Sequence, residues 1–501
     1  MTVFDPRSLE VVPVSPEAVG FAFLILGVAL LLGKFVRVKV GWVQSLFLPS
    51  SIIGGAILLI LGPQVLGRFD GPWGESGLFT EGMVETWGVL PGLLISVIFA
   101  TMFLGQDLPS PKRAAKLVGP QLSLGVAFGS GQYVIGLLLA ALILVPIFAA
   151  APMTGALIEI GFEGGHGTAA GMRPVMEELG FGEGADLAVG LATVGIVGGI
   201  IIGIGLINWG VRTGKTEVLK GDVKMSVAEQ KGLFRSDEYY SAGTMTSRPS
   251  SVEPFSLHMA IVAVAILIGW CILEGLRWIE QQTYASVMLD DTTPLEIFAY
   301  VPLFPMALLG GVIFQLAAKK FGFDRYIDAQ VMLRIQGLAL DFLIVSAIAT
   351  LSLQAVGDNL AAFAILAVAG IVFNVGIFMW LAPRIIGRYW FERGIGDFGQ
   401  SMGVTATGLI LMRVVDPEAE TPAFEAFGYK QLVFEPFFGG GLVTALAVPI
   451  IFLTGVWPLF FVMLGVFVIA VLTGLFYFRP REMKDREEHT QQIEQQKQAE
   501  A

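Results

Sequence analysis

The chain has 501 residues, of which 54% are hydrophobic and only 15% are charged, and its mean hydropathy is +0.73. Because soluble domains contain about 45–50% apolar residues, this composition excludes an ordinary soluble protein and indicates an integral membrane protein. The formal net charge of −11 predicts no nucleic-acid partner, since the charged residues fall in loops and in the C-terminal tail.

Apolar runs long enough to cross the lipid bilayer as helices recur along the chain. The acidic N-terminal segment, residues 1–18, lacks the basic region of a cleaved signal peptide, so we expect the first run to be a permanent span. A polar linker at 209–254 separates two series of spans, and a tail at 479–501 follows an additional last span. The predicted spans are 19–33, 43–62, 89–106, 119–149 and 184–208 in the first series, 255–275, 297–318, 337–356, 360–382 and 431–454 in the second, and 457–478 last.

Two Gly-rich segments, 152–180 and 391–414, are too interrupted to be ordinary spans. Lysine and arginine concentrate in alternate connections, for example at 34–39 and 319–334, and this alternation is kept only if each Gly-rich segment enters and leaves on one face. We therefore predict two re-entrant hairpins, with the N-terminus outside and the linker and tail inside.

The two halves also match each other in sequence. LFLPSSIIGGAI, 46–57, aligns with VPLFPMALLGGVI, 301–313, and HGTAAG, 166–171, aligns with GVTATG, 403–408. Five crossings per half would place the second copy upside down relative to the first. The predicted fold is therefore an all-α polytopic membrane protein with two inverted-topology repeats, at 19–208 and 255–454, a pattern typical of secondary transporters.

The stretch GFEGGHGTAAGM, residues 161–172, explains how such a hairpin can serve a ligand. Non-helical backbone survives at membrane depth only when it is buried in protein or lines a wet cavity. Gly164, Gly165 and Gly167 permit a sharp reversal, and a half-helix resuming at Thr168 would present free N–H groups to an anion. Carbonyl groups at the end of the preceding half-helix are suited to hold a cation such as Na⁺.

GGHGTAAG, together with GVTATGLILMR, LPSSIIGG and DFLIVSAIATL, resembles the bacterial sodium/glutamate symporter family from about residue 19 to 454. The resemblance implies sodium-coupled uptake of L-glutamate across the bacterial cytoplasmic membrane, with Na⁺ as coupling ion and no other cofactor. It also implies a re-entrant loop in each half, a homodimer and an elevator-type movement. The second hairpin departs from the pattern, because it reads QSMG where Gly-Gly-x-Gly is expected.

Individual polar residues give the candidate sites. Arg413 is suited to grip a carboxylate through two hydrogen bonds, or else is an ordinary interfacial arginine. Asp341 lies inside an apolar span, where an acid indicates a role with Na⁺ or a substrate ammonium, or else it pairs with Arg334. His166 serves the substrate or a proton, or it only braces the turn. Glu435, in FEPFFGGG, is expected to mark the boundary of a span.

The predicted substrate-binding residues are Gly164, Gly165, His166, Gly167, Thr168, Ser401, Gly403, Thr405, Thr407 and Arg413, and those for sodium binding or coupling are Glu163, Asp341, Ser50 and Ser51.

Three other classes of function remain to be compared. A sodium-coupled citrate or malate carrier would share the architecture, and an anion channel also uses helix N-termini and arginines. A membrane enzyme is disfavoured, since the sequence has no Ser-His-Asp pattern, no phosphate loop and only three scattered histidines. The single cysteine, Cys271, offers neither a disulfide framework nor a thiol metal site.

Overall fold

The structure is a computed structural model that describes residues 16–45, 48–69, 71–72, 74–106, 111–219, 231, 233–234, 241–283, 298–417 and 419–483. Most of the predicted N-terminal segment, the middle of the linker and most of the tail lie outside these residues. The described part of the chain is all helical and contains no strand.

Twelve helices that form the body of the protein are labelled here in chain order. They are α1 Pro16–Lys39, α2 Ser50–Leu61, α3 Glu81–Thr101, α4 Pro111–Leu139, α5 Gly182–Arg212, α6 Pro254–Thr283, α7 Leu303–Phe321, α8 Ala329–Ala349, α9 Leu360–Trp380, α10 Ala423–Phe434, α11 Leu442–Thr454 and α12 Val456–Leu472.

Shorter pieces extend or connect these helices. A π-helical turn, Ala140–Leu144, carries α4 on to Phe148, and a second one, Thr473–Phe478, extends α12. The remaining connectors are Gly41–Ser45, Leu66–Arg68, Phe298–Tyr300, Asp324–Tyr326, Leu353–Asp358 and Ala382–Ile385.

Two interrupted segments lie where the sequence predicts them. We call residues 152–178 hairpin A; it contains the 3₁₀ turn Pro152–Ala156 and the helices Leu157–Phe162, Gly165–Gly171 and Arg173–Glu178. We call residues 390–415 hairpin B; its helical run, Trp390–Val415, is interrupted at Gly403 and Val404.

Eleven helices in the described residues are long and apolar enough to cross a membrane, so the protein is a multi-pass membrane protein. Hairpin B is counted among them by length, although its backbone is broken in the middle.

The predicted span at 431–454 differs from the structure. Its place is taken by two helices, because α10 ends at Phe434 and α11 begins only at Leu442. Gly439 and Gly440 in between have φ of +68° and +107°, a backbone conformation that glycine adopts without steric cost and that no helix contains.

The helices pack into two groups. The first helix group, α1–α3 and α6–α8, surrounds two apolar clusters that include Trp87 and Met332. The second helix group comprises α4, α5, α9–α12 and both hairpins, and its large core contains aromatic residues such as Phe162 and Phe398. Within it, α12 lies along α4, where the Ser123 hydroxyl donates to the carbonyl of Ala470 at 2.6 Å.

The Gly-Gly pairs of the two matching motifs make equivalent contacts. A Cβ atom on Gly54 would lie 2.6 Å from a backbone oxygen of α1, and one on Gly310 would lie 2.0 Å from a backbone oxygen of α6. The second glycines face the opposite half: Gly55 packs against Ile348 of α8, and Gly311 packs against the backbone of α3. Only glycine permits helices to approach this closely.

Candidate functional site

Hairpin A passes along α5 and then returns along it. The Phe162 ring lies next to Gly195, the His166 Nε2 atom is 2.9 Å from the Thr193 hydroxyl, and beyond it Arg173 pairs with Asp186 at 2.6 Å. As the chain proceeds from Phe162 to Arg173, its partners in α5 therefore run backwards, from Gly195 to Asp186. The reversal falls at Gly165, whose φ of +69° requires a residue without Cβ strain.

Hairpin B folds back on itself at Gly403 and Val404. A Cβ atom on Gly399 would lie 2.7 Å from the Cα atom of Gly408. In a straight helix nine residues cover ~13.5 Å, so the two arms must run side by side in opposite directions. Val404 has φ +60° and ψ 171°, a strained conformation for a β-branched residue.

The tips of the two hairpins touch each other. A Cβ atom on Gly165 would lie 2.2 Å from the Val404 Cγ1 atom, so the glycine leaves the space that the valine fills. The Ser401 hydroxyl donates a hydrogen bond of 3.2 Å to the Glu163 carboxylate, and both side chains are buried. The two interrupted segments therefore form one continuous polar junction.

Two buried amides hold the tip of hairpin B. The carbonyl oxygen of Ser401 accepts hydrogen bonds of 2.8 Å from both the Gln132 and the Asn374 side chains. Sequence reasoning missed these amides, although polar side chains inside the apolar α4 and α9 are the kind of signal that marks a function in membrane spans.

A second acid, Glu159, ties hairpin A to the break between α10 and α11. Its carboxylate accepts hydrogen bonds from the Tyr133 hydroxyl at 2.6 Å, the Thr444 hydroxyl at 2.8 Å and the Gly439 N–H at 2.8 Å. Glu159 is not among the predicted site residues, although an acid inside the apolar run ALIEIGF is a signal of function in a membrane protein.

The same break reaches hairpin B. Glu435 accepts hydrogen bonds from the Thr405 hydroxyl at 2.8 Å and the Gln431 amide at 2.6 Å, and it is 8% exposed. Glu435 does lie at a helix boundary, but it follows the end of α10 and is buried at the junction instead of starting a span. Gly440 packs against the Thr168 hydroxyl of hairpin A, so the break contacts both tips.

A buried lysine lies behind hairpin B. The Lys430 Nζ atom is 3.1 Å from an Asp397 oxygen, donates to the Gln400 side chain, and lies 4.1 Å from the centre of the Phe434 ring. The predicted span at 431–454 begins one residue after Lys430, which hid this residue from sequence reasoning.

A cavity of about 480 Å³ lies between the two helix groups, next to the hairpin tips. This volume is within the range of about 300–1,000 Å³ that is usual for small-molecule sites. The first helix group lines it with Pro49, Ser51, Ile95, Ile98, Phe99, Met102, Leu333, Gln336, Leu340, Asp341 and Ile344. The second group supplies polar residues of both tips, together with Ile196, Ile200, Gln400, Glu435 and Gly439.

Most of the predicted site residues surround this cavity. Gly165 and Ser401 lie at the contact between the tips, and Ser50 begins α2 with its carbonyl against Gly33. Ten of the predicted residues line the cavity itself: Ser51, Glu163, Gly164, His166, Gly167, Thr168, Asp341, Gly403, Thr405 and Thr407.

Arg413 is placed elsewhere. It lies near the end of the second arm of hairpin B, where it is exposed, and it is not among the residues that line the cavity. The geometry therefore does not support the predicted carboxylate clamp. Asp341 does face the cavity, and its side chain is exposed there.

Two buried oxygen atoms at this cavity have no hydrogen-bond partner among the described residues. They belong to the Thr168 hydroxyl and to the Glu163 carboxylate, whereas the Ser51 hydroxyl interacts with the Asp341 carboxylate. An unsatisfied buried oxygen costs about 1–3 kcal/mol of stability, and more when it is charged. Each of these oxygen atoms is therefore a candidate for contact with a bound ligand or ion.

Interrupted hairpins that meet at a cavity between two packed helix groups are the architecture of secondary transporters. A family model described as sodium/glutamate symporter matches residues 19–418, and the chain belongs to this family. Membership supports sodium-coupled glutamate transport with Na⁺ as the coupling ion, and it assigns the protein to transporters and not to an enzyme class. No curated protein matches the chain.

The family match ends at residue 418, whereas the site does not. Lys430, Glu435 and Gly439 all lie beyond that point and contact the hairpins.

Proposed function

We propose that the protein takes up L-glutamate together with Na⁺ by alternating access across the bacterial cytoplasmic membrane. The observation that carries the proposal is the junction of the two hairpin tips at a cavity with two unpartnered oxygen atoms among the described residues, on Glu163 and Thr168. Hydroxyl and carboxylate oxygens suit a hard cation, and a bound cation would remove the cost of leaving them unsatisfied.

We assign the substrate to the same cavity. The half-helices that begin at the tips have N–H groups without an acceptor in the helix, and these suit the carboxylates of glutamate. Asp341, which faces the cavity from α8, suits the substrate ammonium or a cation. The hydroxyls of Thr405 and Thr407 are already bound to Glu435 and to the Gly403 carbonyl, so they serve first to shape the tip.

Coupling follows from the position of Glu163. It lies at the contact between the tips, where its other oxygen accepts from Ser401. A sodium ion there would neutralise a buried negative charge before an anionic substrate arrives. Glutamate would then bind more tightly when Na⁺ is bound, and by linkage Na⁺ would bind more tightly when glutamate is bound.

An elevator-type movement agrees with how the cavity is divided. Its wall from the first helix group is largely apolar, with Ile95, Phe99 and Ile344 in α3 and α8, whereas both hairpins belong to the second group. Apolar side chains permit sliding without broken hydrogen bonds. We propose that the second helix group carries the ligands past the first.

Topology and assembly belong to the same proposal. The equivalent contacts of Gly54 and Gly310 support two inverted repeats, each with a re-entrant hairpin. Charge alternation supports an external N-terminus and an internal C-terminus. A homodimer, in which the first helix groups form the fixed centre, completes the expected assembly.

The test is uptake of labelled glutamate by purified protein in proteoliposomes, with and without an inward Na⁺ gradient. We expect uptake to require the gradient, and we expect Glu163→Gln to abolish Na⁺-driven accumulation because the carboxylate charge is removed. Glu177→Gln is the matched control, because Glu177 lies in the last helix of hairpin A with its side chain exposed. Uptake that ignores Na⁺, or is suppressed by excess citrate or malate but not by glutamate, would contradict the proposal.

A further inference from the structure

We propose that Lys430 is a resident cation of the transport site. Its ammonium group occupies a place that a bound monovalent cation would otherwise take, and it thereby sets the number of Na⁺ ions that move with each substrate. This inference rests on the sodium coupling proposed above and adds a residue that determines its stoichiometry.

The surroundings of Lys430 are those of a bound cation. The side chain is 0% exposed, its Nζ atom lies 3.1 Å from Asp397 Oδ1 and contacts Gln400 Oε1, and the Phe434 ring covers it at 4.1 Å. Two oxygen ligands and an aromatic face are what a desolvated cation needs in a protein interior. The site is thus built around a positive charge.

Neighbouring residues leave space for the Lys430 side chain and orient the Asp397 carboxylate. A Cβ atom on Gly125 of α4 would lie 2.5 Å from the Lys430 Cε atom, so a glycine leaves room for the lysine stem. The second oxygen of Asp397 accepts from the Gln121 amide, which in turn accepts from Arg393. Arg393 itself forms an ion pair of 3.2 Å with Glu482.

The charge balance of the junction explains why a resident cation matters. Four buried carboxylates face this interior, on Glu159, Glu163, Asp397 and Glu435. Lys430 is paired with Asp397, and the charge of the buried Arg393 also acts on Asp397. Glu159 and Glu435 accept from neutral donors, and one oxygen of Glu163 has no partner among the described residues. Carboxylates buried at membrane depth require compensation by bound cations or protons. Lysine supplies one such charge permanently.

Gln400 connects this charge to the substrate cavity. Its side chain accepts from Lys430 and also lines the cavity on the hairpin B side. Lys430 is therefore one side chain away from the cavity, and an ion in its place would reach the cavity past Gln400. A cation that is covalently attached there cannot be released with the substrate, so it contributes charge without contributing to the coupled flux.

The experiment measures the coupling ratio. Proteoliposomes with a tenfold inward Na⁺ gradient and the membrane potential clamped at zero accumulate glutamate to a limit that rises about tenfold for each additional coupled Na⁺. For Lys430→Gln we expect the vacated place to accept Na⁺, so that the limit rises by about tenfold relative to the wild type. The rate of approach to that limit is a separate readout.

Two variants separate a change of coupling from mere damage. Lys430→Arg keeps the charge and should keep the wild-type limit. The double variant Lys430→Gln/Asp397→Asn removes both charges of the pair, so no cation is needed there and the limit should again equal that of the wild type. An unchanged or lower limit for Lys430→Gln, or a raised limit for the double variant, would overturn the proposal.

A second readout applies if Lys430→Gln transports too slowly. Binding of radioactive Na⁺ to the detergent-purified variant should show one more ion per chain than the wild type, and the double variant should not. An equal number in all three proteins would overturn the inference about Lys430. Wild-type protein that neither binds Na⁺ nor needs it for uptake would instead overturn the proposed function itself.

Discussion

Hairpins A and B make the same reversal at the same junction by opposite means. Hairpin A turns at Gly165, which reaches φ +69° without steric strain. Hairpin B turns at Val404, where a β-branched residue at φ +60° costs about 1–3 kcal/mol and persists only because neighbours impose it. Those neighbours are the amides of Gln132 and Asn374 on the Ser401 carbonyl. One turn is encoded locally, and the other is imposed by packing.

The largest effect is expected at the glycine turn. Gly165→Ala combines an unfavourable φ, which costs about 1–2 kcal/mol, with a Cβ atom placed 2.2 Å from Val404. We expect glutamate uptake to fall by more than about tenfold, since one tip must move away from the other.

Gly180→Ala is the matched control for this change. Gly180 has φ +71°, but no atom lies within 4 Å of the point that a Cβ atom would occupy, so this variant carries the backbone strain alone. It should insert and transport nearly normally in the same uptake assay. Equal losses for both variants would show that contact between the tips is unimportant.

The next largest effect concerns the imposed turn. Asn374→Leu removes one of two donors to the Ser401 carbonyl inside the protein, at a cost of about 1–3 kcal/mol. We expect a lower thermal unfolding temperature in detergent and a several-fold weaker apparent affinity for glutamate. Asn208→Leu, whose exposed amide bonds to the carbonyl of Ile204, is the control and should change neither quantity.

The smallest effect is expected at Arg413, and Arg173, the other arginine that follows a hairpin tip, is its comparison. Arg173 pairs with the buried Asp186 at 2.6 Å, whereas Arg413 is exposed. We therefore expect Arg173→Ala to lower thermal stability and uptake, and Arg413→Ala to leave uptake within about twofold of the wild type. A large loss of glutamate affinity in Arg413→Ala, with stability unchanged, would restore that residue as a substrate anchor.

The contrast also explains how much the sequence could predict. GGHG identifies a turn because glycine itself permits the conformation, and QSMG at 400–403 gives a weaker signal because the strain at Val404 is imposed from α4 and α9. Most of the spans and both interrupted segments were predictable from apolar length and glycine content, although α8 occupies Ala329–Ala349 where 337–356 was predicted. The interruption at 435–441 was missed, since an apolar run that contains FFGGG has the length of a span whether or not it is broken.

Arg413 shows a different limit. Its position after TGLILMR predicts proximity to the tip along the chain, but the side chain ends on the outer surface of its arm. Sequence spacing fixes how far a residue is from a turn and does not fix which neighbour it faces. Lys430 and Asp397 are 33 positions apart in the numbering and meet only through the packing of α10 against hairpin B.

The C-terminal extension of α12 connects hairpin B to the rest of the second helix group. Beyond its contact with α4, Glu482 accepts from the Gly387 N–H at 3.2 Å and pairs with Arg393 at the base of hairpin B. The helix therefore acts as a brace that joins the outer end of hairpin B to α4. A chain shortened before α12 would keep the cavity wall but lose the contacts of Glu482 with Gly387 and Arg393. Removal of the residues after 483 would keep these contacts.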